Sequence, residues 1–241
     1  MKKMRIRWIF TDGILGSTPN NRNLYETYLG QNAPTAEGLN EEIEAIPVIE
    51  QEDGTIVEAL GVGLDAKGIT IFPRDENGNP IMWDYQIKGF FKEKCSFLKK
   101  VTGSVSSKIT AHKKKIDGNI FIMDRENRFV LPEDGEITLC QRPLRAETAQ
   151  GPRVALSCSE EIPEGSYIEF TVIVQNDGDL EAVKEWCNDG VLHGTGQWRN
   201  SGKGRFVTQF GKPQPATTEE FIEAKMRMLG LTSQDLDEEA S

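Results

Sequence analysis

Residues 194–206 constrain the fold of this chain most: they read Gly-Thr-Gly-Gln-Trp-Arg-Asn-Ser-Gly-Lys-Gly-Arg-Phe and run straight into the strand-like Phe206-Val207-Thr208-Gln209-Phe210. Two glycine pairs, each split by one residue, enclose a polar and basic stretch. Glycine tolerates positive φ and leaves backbone N–H groups uncovered, so the segment is a tight loop between elements that can come close to a polyanion. Arg199, Lys203 and Arg205 supply charge and Trp198 a flat apolar face, which with Gly196, Gly202 and Gly204 makes a candidate phosphate-binding loop. A decorated hairpin turn is the plainer alternative.

The 241 residues, 37% of them apolar, are enough for a real core. No apolar run nears the ~20 residues of a membrane span, and the basic start at Met1-Lys2-Lys3-Met4-Arg5 leads into alternation and not a signal-peptide core. A soluble, cytoplasmic protein without a membrane partner is expected. Cys95, Cys140, Cys158 and Cys187 lie far apart without a Cys-x-x-Cys, which predicts four buried free thiols, no metal and no disulfide framework. No cofactor is indicated.

A net charge of −10 argues against a nucleic-acid partner until its distribution is considered. Residues 217–241 hold Glu219, Glu220, Glu223, Asp235, Asp237, Glu238 and Glu239 against Lys225 and Arg227, so much of the acid is peripheral. A second acidic stretch, 37–58, precedes a basic middle where Lys88, Lys92, Lys94, Lys99, Lys100, Lys108, Lys113, Lys114 and Lys115 accumulate. A basic face remains available.

Alternation over 4–11 predicts an opening strand. Residues 23–30 fit a short capped helix, and the polar, glycine-rich run to 68 shows no sustained period, which predicts an insertion over 19–68. Residues 83–101 place Ile87, Phe90, Phe91, Cys95, Leu98 and Val101 at helical spacing with Asp84 as the cap. The polar stretch 103–117 reads as a mobile loop. Strands follow at 120–123, 128–131, 136–140, 153–157 and 166–174. A helix from 179 to 187 ends at Gly190 as its C-cap, and a last helix starts at Thr217 or Thr218. This order predicts an α+β, RRM-like or ferredoxin-like antiparallel sheet with helices on one face.

Four segments now resemble the RAMP superfamily, the backbone proteins of CRISPR effector complexes, and most of all its Cas-seven-type members. Ile14-Leu15-Gly16-Ser17 is similar to the family's turn after the first strand. Arg74-Asp75-Glu76-Asn77-Gly78-Asn79-Pro80, followed by Gln86-Ile87-Lys88-Gly89-Phe90-Phe91-Lys92, resembles the stretch that opens its first core helix. Glu161-Ile162-Pro163-Glu164-Gly165 before a long strand is similar to another motif, and Gly202-Lys203-Gly204-Arg205 to the ending of its glycine-rich loop. Gln86-Ile87 stands where the family has small serines.

The resemblance implies one RRM-like domain over 1–212 with an extended β-hairpin thumb at 139–157, then a C-terminal helix and acidic tail over 213–241. It implies a non-catalytic protein that grips single-stranded guide RNA through phosphates and lines up copies of itself along it, beside other CRISPR effector subunits. Arg142, Arg145 and Arg153, around Pro143, Gly151 and Pro152, suit a finger that holds phosphate or stacks on bases; an ordinary exposed hairpin is the alternative. Lys88, Lys92 and Lys113–Lys115 are further candidates for the RNA, or a solvated helix face. A stand-alone member that binds or mimics a CRISPR effector, as inhibitor or regulator, is the alternative function favoured by the acidic charge. A metal-dependent ribonuclease is the third, because Gly63-Leu64-Asp65 resembles the loop carrying the catalytic aspartate of some backbone subunits. His112 and His193 have no nucleophile partner in sequence, and Asp12, Asp75 and Asp124 read as turn residues.

Overall fold

The computed structural model describes residues 1–19, 69–148 and 151–228, and of 144–148, 151–156, 227 and 228 the backbone alone. Its first half contains β1 (Lys2–Phe10), β2 (Ile14–Leu15), β3 (Thr18–Pro19), β4 (Ile69–Ile71), β5 (Ile81–Trp83), α1 (Asp84–Leu98), α2 (His112–Asn119), β6 (Ile120–Ile122) and β7 (Glu126–Val130). Then come β8 (Thr138–Thr148), β9 (Gly151–Ile162), β10 (Tyr167–Val174), α3 (Asp179–Asn188), α4 (Gly190–His193), β11 (Phe206–Phe210), β12 (Gln214–Pro215) and α5 (Thr218–Met228). The insertion expected over 19–68 lies, apart from Pro19, outside the described residues, as do its short helix and Asp65.

Met4, Ile6, Trp8 and Phe10 of β1 are buried, and period-two geometry puts all four on one face. β1 sits between β11 and β10, with β7 and then β5 beyond and β6 also on β10. The order β11-β1-β10-β7, read through β1-α1-β7-β10-α3-β11, is the ferredoxin-like β-α-β-β-α-β arrangement expected from the sequence, and its pairings are antiparallel.

Trp8 is the hub of the helix-covered face. Its ring stacks on Phe206 at 4.3 Å and meets Phe90 and Phe170 edge-on at 4.9 Å. α1 adds Ile87, Phe91 and Cys95, α2 adds Ile116, and α3 adds Leu180, Val183, Trp186 and Cys187. Burial pushes the Cys187 thiol up to about 12. Cys140, by contrast, is only half-buried, so the expectation of four buried thiols holds for three. α5 docks on the opposite side, where Glu220 pairs with Lys3 at 2.7 Å and Phe221 meets Phe121 at 6.0 Å.

Three element readings are corrected. α1 is capped from Trp83 and not Asp84: Gln86 Oε1 accepts from the Trp83 N–H at 2.9 Å, and Asp84 is taken by Arg125 at 2.8 Å. The helix stops at Leu98, whose carbonyl accepts from Ser104 Oγ at 2.7 Å. Residues 103–117 are an ordered 3-10 turn, Ser106–Lys108, followed by α2. Glu185 accepts from the N–H groups of Val105 and Ser106 at 2.6 and 2.9 Å, and Trp186 Nε1 donates to Ser106 Oγ at 2.8 Å, a tertiary pinning that no local period announces. Gly190 opens α4 instead of capping α3; a Cβ there would lie 2.2 Å from the Phe206 ring, so close packing and not positive φ requires glycine.

A second sheet runs β2-β9-β4-β3, with β8 on β9. β8 and β9 form a long antiparallel hairpin from Thr138↔Glu161 to Thr148↔Gly151. Its base is stitched to β2 through Ile14↔Ile162 and, in parallel, to β4 through Ile69↔Cys158.

Candidate nucleic-acid interface

The glycine loop leaves α4 at Gly194 and crosses itself. Gly194, Gly196, Gly202 and Gly204 have φ of 62, 80, 92 and 71°, and Trp198 is left-handed at 55°. A Cβ on Gly204 would sit 1.9 Å from the Thr195 carbonyl oxygen, so only glycine fits where the two arms touch. The amides expected to be bare are engaged internally. Thr195 N–H donates to Gly204 O at 2.9 Å, Gly204 N–H to Gly13 O at 2.9 Å, Gly194 N–H to Gly190 O at 3.0 Å and Gly202 N–H to Arg199 O at 2.9 Å. The expectation of an open cradle of main-chain donors is therefore corrected at these positions: the donors close the loop onto itself and onto the turn after β1.

The side chains divide the loop's charge. Arg199 Nη1 donates to Glu93 Oε2 of α1, and Lys203 Nζ donates to Glu161 Oε1 of β9. The hydrogen bond to Glu161 holds the Lys203 ammonium above its ordinary pKa. Arg205 Nε donates to the Leu192 carbonyl at 3.2 Å and has no carboxylate partner among the described residues.

Arg142 joins the loop to the hairpin. Its side chain is buried, Nη2 donates to Gln197 Oε1, and its guanidinium carbon lies 5.4 Å from the Trp198 ring centroid. Nη1 is buried with no hydrogen-bond partner among the described residues. Gln197 Nε2 continues to Thr70 Oγ1 at 3.3 Å, tying β4 into the same cluster. Trp198 keeps 40% of its surface exposed. Beside it opens a cavity of about 410 Å³ whose lining includes Gly196, Gln197, Arg199, Glu93, Phe90 and Ile14. The glycine loop, the turn after β1 and the opening of α1, three of the segments singled out by sequence, thus meet at one cleft.

The lysines form a separate group, and none of them lines that cleft. Lys92 pairs with Asp117 at 2.6 Å, Lys88 reaches the same carboxylate at 4.0 Å, and Lys115 pairs with Asp179 at 2.6 Å. Lys113 lies exposed on α2 beside Lys114. Arg145 and Arg153 lie on the outer part of the hairpin, paired through the backbone with Val154 and Ala146.

Sequence reasoning passed over several polar residues. Arg5 and Arg7 share Glu169 on the sheet face away from the core, Arg7 Nε donating at 2.6 Å, and Arg7 lies 4.6 Å from the Tyr167 centroid. Against the opposing effect of burial, these hydrogen bonds hold Glu169 below the usual carboxylate range. Only the register, Ile6↔Phe170 and Arg7↔Glu169, reveals the trio. Arg74 of the proline motif pairs with Glu160 at 2.7 Å, and Asp75 accepts from the Asn77 and Asn79 amides at 2.9 and 2.7 Å, so this motif builds the turn into β5.

No family model and no curated protein matches the chain. Among solved structures it is similar to a chain of "Type III-B Cmr-beta bound to cognate target RNA", with 10% identity and a TM-score of 0.49 over 88% of this chain; it spans 60% of the length of that one. It is similar also to oligomeric Cmr4 from Pyrococcus furiosus, with 10% identity and a TM-score of 0.42 over 88% of this chain and 98% of that one. At such values the role of this chain has to be read from its own residues. Among those described, no helix is long and apolar enough to cross a membrane.

Proposed function

We propose that this chain is a non-catalytic, RAMP-like RNA-binding backbone protein of a CRISPR-type ribonucleoprotein. It holds single-stranded guide RNA through phosphates at the glycine-loop cleft, uses the β8–β9 hairpin as its thumb, and assembles side by side with copies of itself. One observation carries this reading: buried Arg142 links the hairpin to Gln197 and Trp198 of the glycine loop, beside a cleft rimmed by Arg199. An exposed aromatic face next to guanidinium groups suits an unpaired strand, whose bases stack while its phosphates pair. The Arg199 and Trp198 contacts are blind to sequence, so affinity falls with salt and barely varies with base composition.

Fluorescence anisotropy with labelled single-stranded RNA, titrated with salt, tests it. Salt-sensitive binding that weakens in Arg199→Ala, together with RNA copurifying with the protein, is expected. Absence of any retardation of single-stranded RNA at low salt would refute it.

The internal pairing of Arg199 and Lys203 with Glu93 and Glu161 favours a second reading, in which an acidic RAMP-like protein binds a CRISPR effector in place of nucleic acid. Recovery of an effector complex by pull-down, with no nucleic acid retained by the isolated protein, would decide for it.

A further inference from the structure

Lys94 is unusual in this fold. It follows Glu93 on α1, its side chain is 0% exposed, and its Nζ has no hydrogen-bond partner among the described residues. The rings of Phe90 and Phe97 lie 5.1 and 5.3 Å away, a poor substitute for the water or carboxylate that a buried ammonium demands. Burial pulls its pKa down, opposed by Glu93 and by Asp189, which itself pairs with His193 at 2.8 Å. Glu93 stands between two cations. One oxygen, Oε2, accepts from Arg199 at the rim of the cleft and lies 3.8 Å from Lys94 Nζ beneath it.

We propose that Glu93 and Lys94 form an ion-pair exchange: when an RNA phosphate takes Arg199, Glu93 swings inward onto Lys94. Lys94 is thereby a positioning residue for the polyanion site. The inference rests on the functional reading above. The exchange requires Oε2 to close from 3.8 Å to a charge-assisted hydrogen bond, a movement of about 1 Å. It resolves an otherwise awkward pairing. An arginine already held by a carboxylate gains little from phosphate if that carboxylate is left uncompensated in a half-buried site. With Lys94 below, the displaced charge has a prepared partner, and the ammonium gains the hydrogen bond that it lacks.

Anisotropy with labelled oligouridylate RNA, in a double-mutant cycle on the full chain, tests the exchange. Lys94→Met is expected to weaken RNA binding about three- to tenfold while Glu93 is present, and to leave affinity unchanged in a Glu93→Gln background. Glu93→Gln alone frees Arg199 and is expected to tighten binding about threefold. An unchanged affinity in Lys94→Met, or an equal loss in both backgrounds, overturns the exchange while Arg199→Ala still weakens binding. If Arg199→Ala binds as the native chain does, the underlying RNA-site reading fails instead. Should Lys94→Met not fold, NMR of native protein carrying ε-¹³C-lysine gives the answer. The buried lysine signal changes on RNA addition but not in Glu93→Gln; a signal indifferent to RNA in both overturns the proposal.

Discussion

The glycine loop and helix α2 each carry three cations close in sequence, and the fold treats them in opposite ways. Arg199 and Lys203 of the loop are fixed by Glu93 and Glu161 on a backbone whose glycines permit no Cβ where the arms cross. On α2, Lys115 pairs with Asp179, while Lys113 and Lys114 lie exposed without an ion-pair partner among the described residues. Fixed charge defines a position for a ligand; solvated charge only raises the local concentration of any anion. Equal basicity in sequence therefore yields one set of fixed charges and one set of solvated ones.

The sharpest way to break this contrast is to unlock the loop. Gly204→Ala places a methyl against the Thr195 carbonyl at a φ of 71° and is expected to cost about 3 kcal/mol or more in thermal or chemical unfolding. Gly103→Ala, also left-handed at 86° but with nothing within 4 Å, should cost about 1 kcal/mol. Equal losses in the two variants would mean that the crossing does not rigidify the loop.

The contrast was only half legible beforehand. The ferredoxin-like core declared itself through β1 alternation and the Ile87, Phe90, Phe91, Cys95 stripe, because burial on one face imposes a period whatever the partner is. The glycine loop was also visible, since four left-handed glycines have few other uses. Its satisfied amides were not, because the Gly204 N–H partner is Gly13, at the other end of the chain. Nor were the counter-charges: Glu93 sits among the lysines of α1 and Glu161 in a motif read for its proline and glycine. The ordering of 103–117 depends on Glu185, far along the chain. Pairings of this kind belong to the tertiary structure and leave no local trace.

Binding measurements sharpen the comparison at intermediate scale. Trp198→Ala is expected to lower affinity for single-stranded RNA about tenfold, evenly across base compositions, since stacking contributes ~1–3 kcal/mol per base. The double variant Lys113→Ala with Lys114→Ala should lose only about twofold, and that loss should vanish at high salt. A larger loss in the lysine variant than in Trp198→Ala would move the site from the cleft to α2.

The smallest effect concerns Arg5 and Arg7, which lie between the two extremes: Arg5 is exposed like Lys113 and Lys114, Arg7 is half-buried, and both are held by one carboxylate, as the loop cations are held by theirs. Glu169 has a folded pKa lowered from its ordinary 4.5 by the bonds from Arg7 and Arg5, despite burial. A lowered acid contributes stability that is complete above the unfolded pKa and disappears as pH falls through the folded one. Relative to Glu169→Gln, the native chain should hold its full advantage above about pH 4.5 and lose it progressively below. Denaturant midpoints across that range measure the difference, and it should shrink with added salt because Arg5 is largely exposed. A difference independent of pH would show that Glu169 acts through packing, and would leave the loop as the place among the three where fixed charge matters.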